Sequence, residues 1–185
     1  MTRPMPGGRR RVDKVLAPDF VVGLAELSLS DLRGRRHEAE QEEVDLSYLR
    51  RMLHGRMDLV AAEQQRRAPD SDSGPLIDDL SSILGDEERS THGLGRYITV
   101  EPSRVDEHRR VEEQVASDTI TADVAARSDD ELRDAMVRLR QHELEVSEVR
   151  RAVQQVMDTL SAELTERYRS GAASVDELLP PDPGA

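Results

Sequence analysis

The chain has 185 residues, with 26 Lys and Arg against 38 Asp and Glu, and a formal net charge of -12 at pH 7. Charged residues (35%) match hydrophobic ones (36%), a balance that belongs to long exposed helices rather than a thick core, so a large enclosed active site is not expected. The acidic balance argues against direct DNA binding, the aromatics are Phe20, Tyr48, Tyr97 and Tyr168 alone, too few for stacking on single strands, and the lack of Cys removes disulfides, thiolate nucleophiles and Cys-ligated metals.

The opening stretch, rich in Pro, Gly and Arg, reads as a flexible tail over 1–27, and Arg9-Arg10-Arg11 is followed by no apolar signal-peptide core. No run approaches the roughly 20 apolar residues that span a bilayer, so the cytoplasm is the expected compartment and no membrane contact is expected. A first long helix is predicted over 28–66. Ser28 is its N-cap with Asp31 three residues on, Leu27 and Leu32 form a hydrophobic staple, and the Pro69 to Pro75 stretch breaks it.

Residues 67–127 read as a linker with short helical pieces: an amphipathic helix over 75–84, an extended stretch over 96–100 and helix again over 105–126. A second long helix is predicted over 128–170, opened by the Ser128-Asp129-Asp130-Glu131 capping box and stopped by Gly171, and the Pro-rich tail 171–185 reads as disordered. Neither long segment contains an internal proline. At 1.5 Å per residue each reaches ~55 to 65 Å, a length that needs a helical partner.

Both helices carry one pattern. Leu32, Ala39, Leu46, Leu53 and Val60 recur every seven residues, flanked by Leu49 and Met57. Leu132, Leu139, Val146, Val153 and Leu160 repeat this 100 residues later, flanked by Val149 and Met157. A sustained heptad of this kind is a coiled-coil seam. The same offset also relates residues outside the seam, among them Ser28/Ser128, Arg33/Arg133 and Arg51/Arg151, so the chain contains an internal repeat.

Within the repeat lies a polar stripe, Glu43-x3-Ser47-x2-Arg50-x3-His54-x3-Asp58, answered by Glu143-x3-Ser147-x2-Arg150-x3-Gln154-x3-Asp158. Steps of three and four keep five side chains within about 80° of one helix face, beside the seam. A soluble flank needs charge but not identity, so keeping Ser, Arg and Asp at the same spacings twice points to a shared binding role or a recent duplication. Arg forks onto guanine O6 and N7 or onto phosphate, Asp accepts from guanine N1 and N2, and Ser, Gln or His completes the contacts. Guanine nucleotides fit this set. If the helices pair antiparallel, two copies suit a ligand with its own twofold symmetry, but a linker this long leaves the pairing direction open.

The duplicated signature resembles that of the RsiG family, cyclic di-GMP-dependent anti-sigma factors of sporulating actinobacteria. Nine of the ten motif positions match, and His54 stands where the family has Gln. The resemblance covers 28–66 and 128–170. It implies an all-α fold, an antiparallel two-helix coiled-coil hairpin with a long, partly helical linker and disordered termini. It also implies that Glu43, Ser47, Arg50, His54, Asp58, Glu143, Ser147, Arg150, Gln154 and Asp158 bind cyclic di-GMP, as an intercalated dimer and without a metal. The ligand-bound state is expected to hold a sporulation and flagellar-type sigma factor, the one called WhiG, away from RNA polymerase.

The alternative from another class is a structural coiled-coil adaptor that binds a partner without nucleotide. An enzyme is not expected. His37, His54, His92, His108 and His142 are scattered, His142-Glu143 lacks the His-Glu-x-x-His spacing for zinc, and Gly93-Leu94-Gly95 lacks the remaining glycines of a dinucleotide fold.

Overall fold

The computed structural model describes residues 4–68 and 123–171. In chain order these form a short helix α1 (Arg11–Val15), 3-10 turns at Pro18–Val21 and Leu24–Glu26, the long helix α2 (Leu29–Arg66), a 3-10 turn at Val124–Ala126 and the long helix α3 (Asp129–Arg169). No strand occurs among the described residues. The expected all-α class is the observed one, and the two long helices pack against each other.

Local chemistry sets the helix ends. Ser28 Oγ accepts from the Asp31 amide at 3.0 Å and donates to Asp31 Oδ2 at 2.6 Å, which satisfies one of the orphan amides of the first turn of α2. Before α3, Glu131 Oε2 accepts from both the amide and the hydroxyl of Ser128, at 2.8 and 2.9 Å, while the Glu131 amide donates back to Ser128 Oγ. These two bonds from Ser128 hold the Glu131 carboxyl below its usual range. Gly171 ends α3 at φ 74°, a left-handed position that glycine adopts without a Cβ penalty.

The described residues fall into two compact units, one built from 4–43 and 149–171, the other from 44–68 and 123–148. Each long helix contributes one half to each unit. In the first unit Arg36 Nε donates to Ser161 Oγ at 3.1 Å, Arg33 donates to the Tyr168 hydroxyl, and Arg167 donates to the carbonyls of Leu27 and Leu24. Rising numbers on α2 meet falling numbers on α3, so the pairing is antiparallel. The core here holds Leu32, Ala39, Val149, Val153, Leu160 and Leu164.

In the second unit Arg50 meets Glu143 and Arg67 meets Asp129, again antiparallel. Its core is Leu46, Leu49, Leu53, Val60, Leu132, Ala135, Met136, Leu139 and Val146. The heptad residues named from the sequence are thus buried in both units, and Met57 and Met157 sit half-buried at the edges. Removal of such side chains from water is the main drive for pairing two otherwise charged helices.

The repeat extends to the ends of the helices. Arg67, after α2, donates to Glu63 Oε1 (2.6 Å), Asp129 Oδ1 (2.8 Å) and the carbonyls of Arg127 (2.7 Å) and Val124 (3.2 Å). Arg167, 100 residues on, donates to Glu163 and to the carbonyls of Leu27 and Leu24. In each unit the arginine from the end of one helix fastens the 3-10 turn that enters the other. Glu63, fully buried, stays ionised because Arg66 and then Arg67 hold its carboxylate, which lowers its pKa.

The N-terminal segment corrects the expectation of a flexible tail over 1–27. From residue 4 onward it is folded onto the first unit, with Val12 and Val15 buried. Arg11 Nε donates to Glu42 Oε2 at 2.8 Å, and Glu42 is fully buried at a position that continues the seam spacing. A carboxylate there needs a cation, and α1 brings one. Asp13 accepts from the Met5 and Arg10 amides and from the Arg10 guanidinium, and Arg10 above all holds its carboxyl down at about 2. Gly8 is required beside it, because a Cβ at that position lies 2.1 Å from Asp13 Oδ2. Of the expected linker elements, those over 75–84 and 96–100 and most of 105–126 lie outside the described residues, as does the C-terminal tail beyond Gly171. Val124–Ala126 forms a single 3-10 turn.

Candidate functional site

All ten stripe residues lie among the described residues, and the structure brings seven of them together in two clusters, one per unit. In the unit of residues 44–68 and 123–148, Glu143 Oε1 receives Arg50 Nε at 2.9 Å and Ser147 Oγ at 2.7 Å, with His54 Nε2 at 3.2 Å. In the unit of residues 4–43 and 149–171, Glu43 Oε1 receives Arg150 Nε at 2.8 Å and Gln154 Nε2 at 3.2 Å. Each glutamate belongs to one copy of the motif and each Arg with its His or Gln to the other.

This crosswise pairing follows from antiparallel helices. The i,i+3 and i,i+4 partners within one helix, which the sequence offers first, account for Ser147 on Glu143 but not for either arginine. Steps of four from Arg50 to His54 and from Arg150 to Gln154 place both donors of a copy on one side, one turn apart, facing the glutamate of the other helix. His54 Nε2 contacts the glutamate oxygen of its cluster as the Gln154 amide nitrogen does in the other, so the substitution keeps the contact.

Electrostatics follow from the same contacts. The Arg50 guanidinium, aided by Ser147 and His54, outweighs partial burial and pulls the Glu143 carboxyl down to about 2. Glu143 is therefore a fixed anion that orients Arg50. Arg50 spends only its Nε on that anion, and its two terminal nitrogens make no hydrogen bond among the described residues. One edge of the guanidinium is thus anchored and the other presents a two-donor fork.

Asp58 and Asp158 stand apart from the clusters. Both are exposed, and neither makes a hydrogen bond or ion pair among the described residues. Each lies eight residues beyond the arginine of its copy, about 12 Å along the helix. In the first copy the stripe therefore presents the Arg50 fork and the free Asp58 acceptor two turns apart. Among the described residues no group of three or more His, Asp and Glu is placed to hold a metal ion, and no helix is long and apolar enough to cross a membrane.

A family model described as RsiG-like matches residues 18–84 and 118–181, well over half the chain. The chain belongs to the RsiG-like family. The two matched stretches carry both copies of the motif, all three 3-10 turns and both terminal arginines, so the RsiG-like match falls on the repeat itself. No curated protein matches the chain. RsiG-like membership gives the coarse role, that of an anti-sigma regulator whose partner is a sigma factor, in a family not known for enzymes.

Proposed function

We propose that the duplicated stripe binds cyclic di-GMP and that the ligand-bound chain sequesters a sigma factor of the WhiG type from RNA polymerase. The observation that supports this reading most is the pairing of the anchored Arg50 fork with the exposed, unpartnered Asp58 two turns along the same helix, in a motif whose residue types recur 100 positions on. A fork of two N–H donors matches guanine O6 and N7, and a carboxylate matches the N1 and N2 donors of the Watson–Crick edge. On a single base these edges are too close together to be reached from points about 12 Å apart, whereas four bases stacked at ~3.4 Å span about 10 Å. A stack of guanines, such as two intercalated cyclic dinucleotides supply, fits the Arg50 to Asp58 span and the Arg150 to Asp158 span.

Each copy sets one arginine against two carboxylates, a poor cradle for phosphates on its own. Cationic groups from the sigma factor complete it, so ligand and partner bind more tightly together than either does alone, with reciprocal coupling. The test is a calorimetric titration of the chain with the sigma factor, with and without cyclic di-GMP and with cyclic di-AMP as control. Adenine lacks both the O6 acceptor and the N1 and N2 donors. A complex that forms only with the guanine dinucleotide and is lost in the Arg50→Ala/Arg150→Ala variant is the expected result. Complex formation indifferent to nucleotide would leave a coiled-coil adaptor and overturn the proposal.

A further inference from the structure

Two of the exposed large apolar side chains lie on α3, Val137 at 67% and Leu144 at 56% exposure. They are seven residues apart, so they stand on one face, two turns from each other, opposite the buried Leu139 and Val146. At 100° per residue, Arg138 falls on one flank of this strip and Arg140 on the other. Both arginines are exposed, and neither makes a hydrogen bond or ion pair among the described residues.

The internal repeat supplies a control for this face. At the equivalent positions the first copy has His37, Glu38, Glu40 and Val44, where the second has Val137, Arg138, Arg140 and Leu144. Seam positions stay apolar between the copies, as Ala39/Leu139 and Leu46/Val146 show, and the stripe keeps four of its five positions unchanged. These four positions instead all change, with two charge reversals and two gains in apolar character, and Glu40 and Val44 of the first copy are half-buried where Arg140 and Leu144 are exposed. Solubility alone favours the first copy's acidic version, in a chain of net charge -12. Unpaired arginines beside exposed apolar groups are what a contact surface for an acidic, apolar segment requires.

We propose that Val137, Arg138, Arg140 and Leu144 form a docking surface for an acidic amphipathic helix of the sigma factor. This rests on the anti-sigma reading above and adds a contact outside the nucleotide stripe. Val137 and Leu144 receive the partner's apolar stripe, and Arg138 and Arg140 pair with carboxylates on either side of it. Asp134 and Glu148 lie beyond the two ends of the strip and repel a longer acidic helix, which limits the contact to about two turns.

The test measures the sigma factor affinity of the full chain with cyclic di-GMP present, for the wild type, Arg138→Glu/Arg140→Glu and Val137→Ser/Leu144→Ser. The dinucleotide affinity of each chain alone and its mass in solution are measured in parallel. The expected result is a loss of sigma factor affinity of roughly 10- to 100-fold in both variants, with dinucleotide binding, helicity and a monomeric mass unchanged. Sigma factor affinity unchanged in both variants overturns the proposal and leaves the anti-sigma reading intact. A wild-type dimer that both variants split overturns it in favour of a second copy of the chain as occupant. A wild-type chain that binds no sigma factor at all overturns the functional reading, and this surface with it.

Discussion

At Glu143 a single carboxylate oxygen gathers a guanidinium, a hydroxyl and an imidazole, and at its counterpart Glu43 one oxygen accepts from a guanidinium and an amide. In one cluster the His54 imidazole reaches the glutamate where the other has the Gln154 amide. His54→Gln installs the other copy's side chain and should keep the contact to Glu143, leaving dinucleotide affinity within about threefold of the wild type, whereas His54→Ala removes the contact and should weaken binding by a factor on the order of three to ten. Equal affinities of the two variants in a calorimetric titration would show that the contact at position 54 does not shape the site. The ten positions and their register were legible in the sequence because helical spacing alone puts them on one face. The crosswise partners were not, since they depend on a pairing direction that heptad spacing leaves open.

Among the elements, the two long helices were readable from heptads, capping residues and the stop at Gly171, all of them local signals. The N-terminal segment was not. Its Pro, Gly and Arg content reads as a tail, and what orders it is a long-range need, the buried Glu42 at a seam position. In hindsight the signal was an acidic residue seven before Leu49 where an apolar one belongs, with Arg11 and the Val12/Val15 pair upstream to cover it. This account makes opposite predictions for two substitutions. Arg11→Ala leaves a fully buried carboxylate without its guanidinium and should cost about 3 kcal/mol in denaturant unfolding, or release α1 from the first unit. Glu42→Leu, which restores the heptad, should be neutral or stabilising and should rescue Arg11→Ala, because a well-packed apolar residue replaces a buried ion pair at little or no loss. Failure of the rescue would show that α1 is held mainly by contacts other than Arg11.

For the molecule as a whole, acidity cuts two ways as the pH falls. A net charge of -12 repels itself, and protonating exposed carboxylates relieves that repulsion. Against this, several carboxylates are ionised because arginines hold them: Glu143 and Asp13, both down at about 2, and Glu63, lowered by Arg66 and Arg67. Each is depressed in the folded chain relative to its ordinary value, 4.5 for the glutamates and 3.8 for Asp13. Its stabilising contribution is therefore complete above that ordinary value and is lost as the pH falls through the folded one. The melting temperature should hold steady or rise slightly from pH 7 to about 5 and then drop between roughly pH 4.5 and 2. Glu143→Gln gives the decisive comparison. The amide cannot anchor Arg50 as an anion, so the variant should melt lower at pH 7, and its curve should converge on the wild type as pH approaches 2, where Glu143 takes up its proton. Thermal melts followed by circular dichroism across this range would show it. Curves that stay parallel down to pH 2 would mean that the anion holding Arg50 contributes nothing to the stability of the fold.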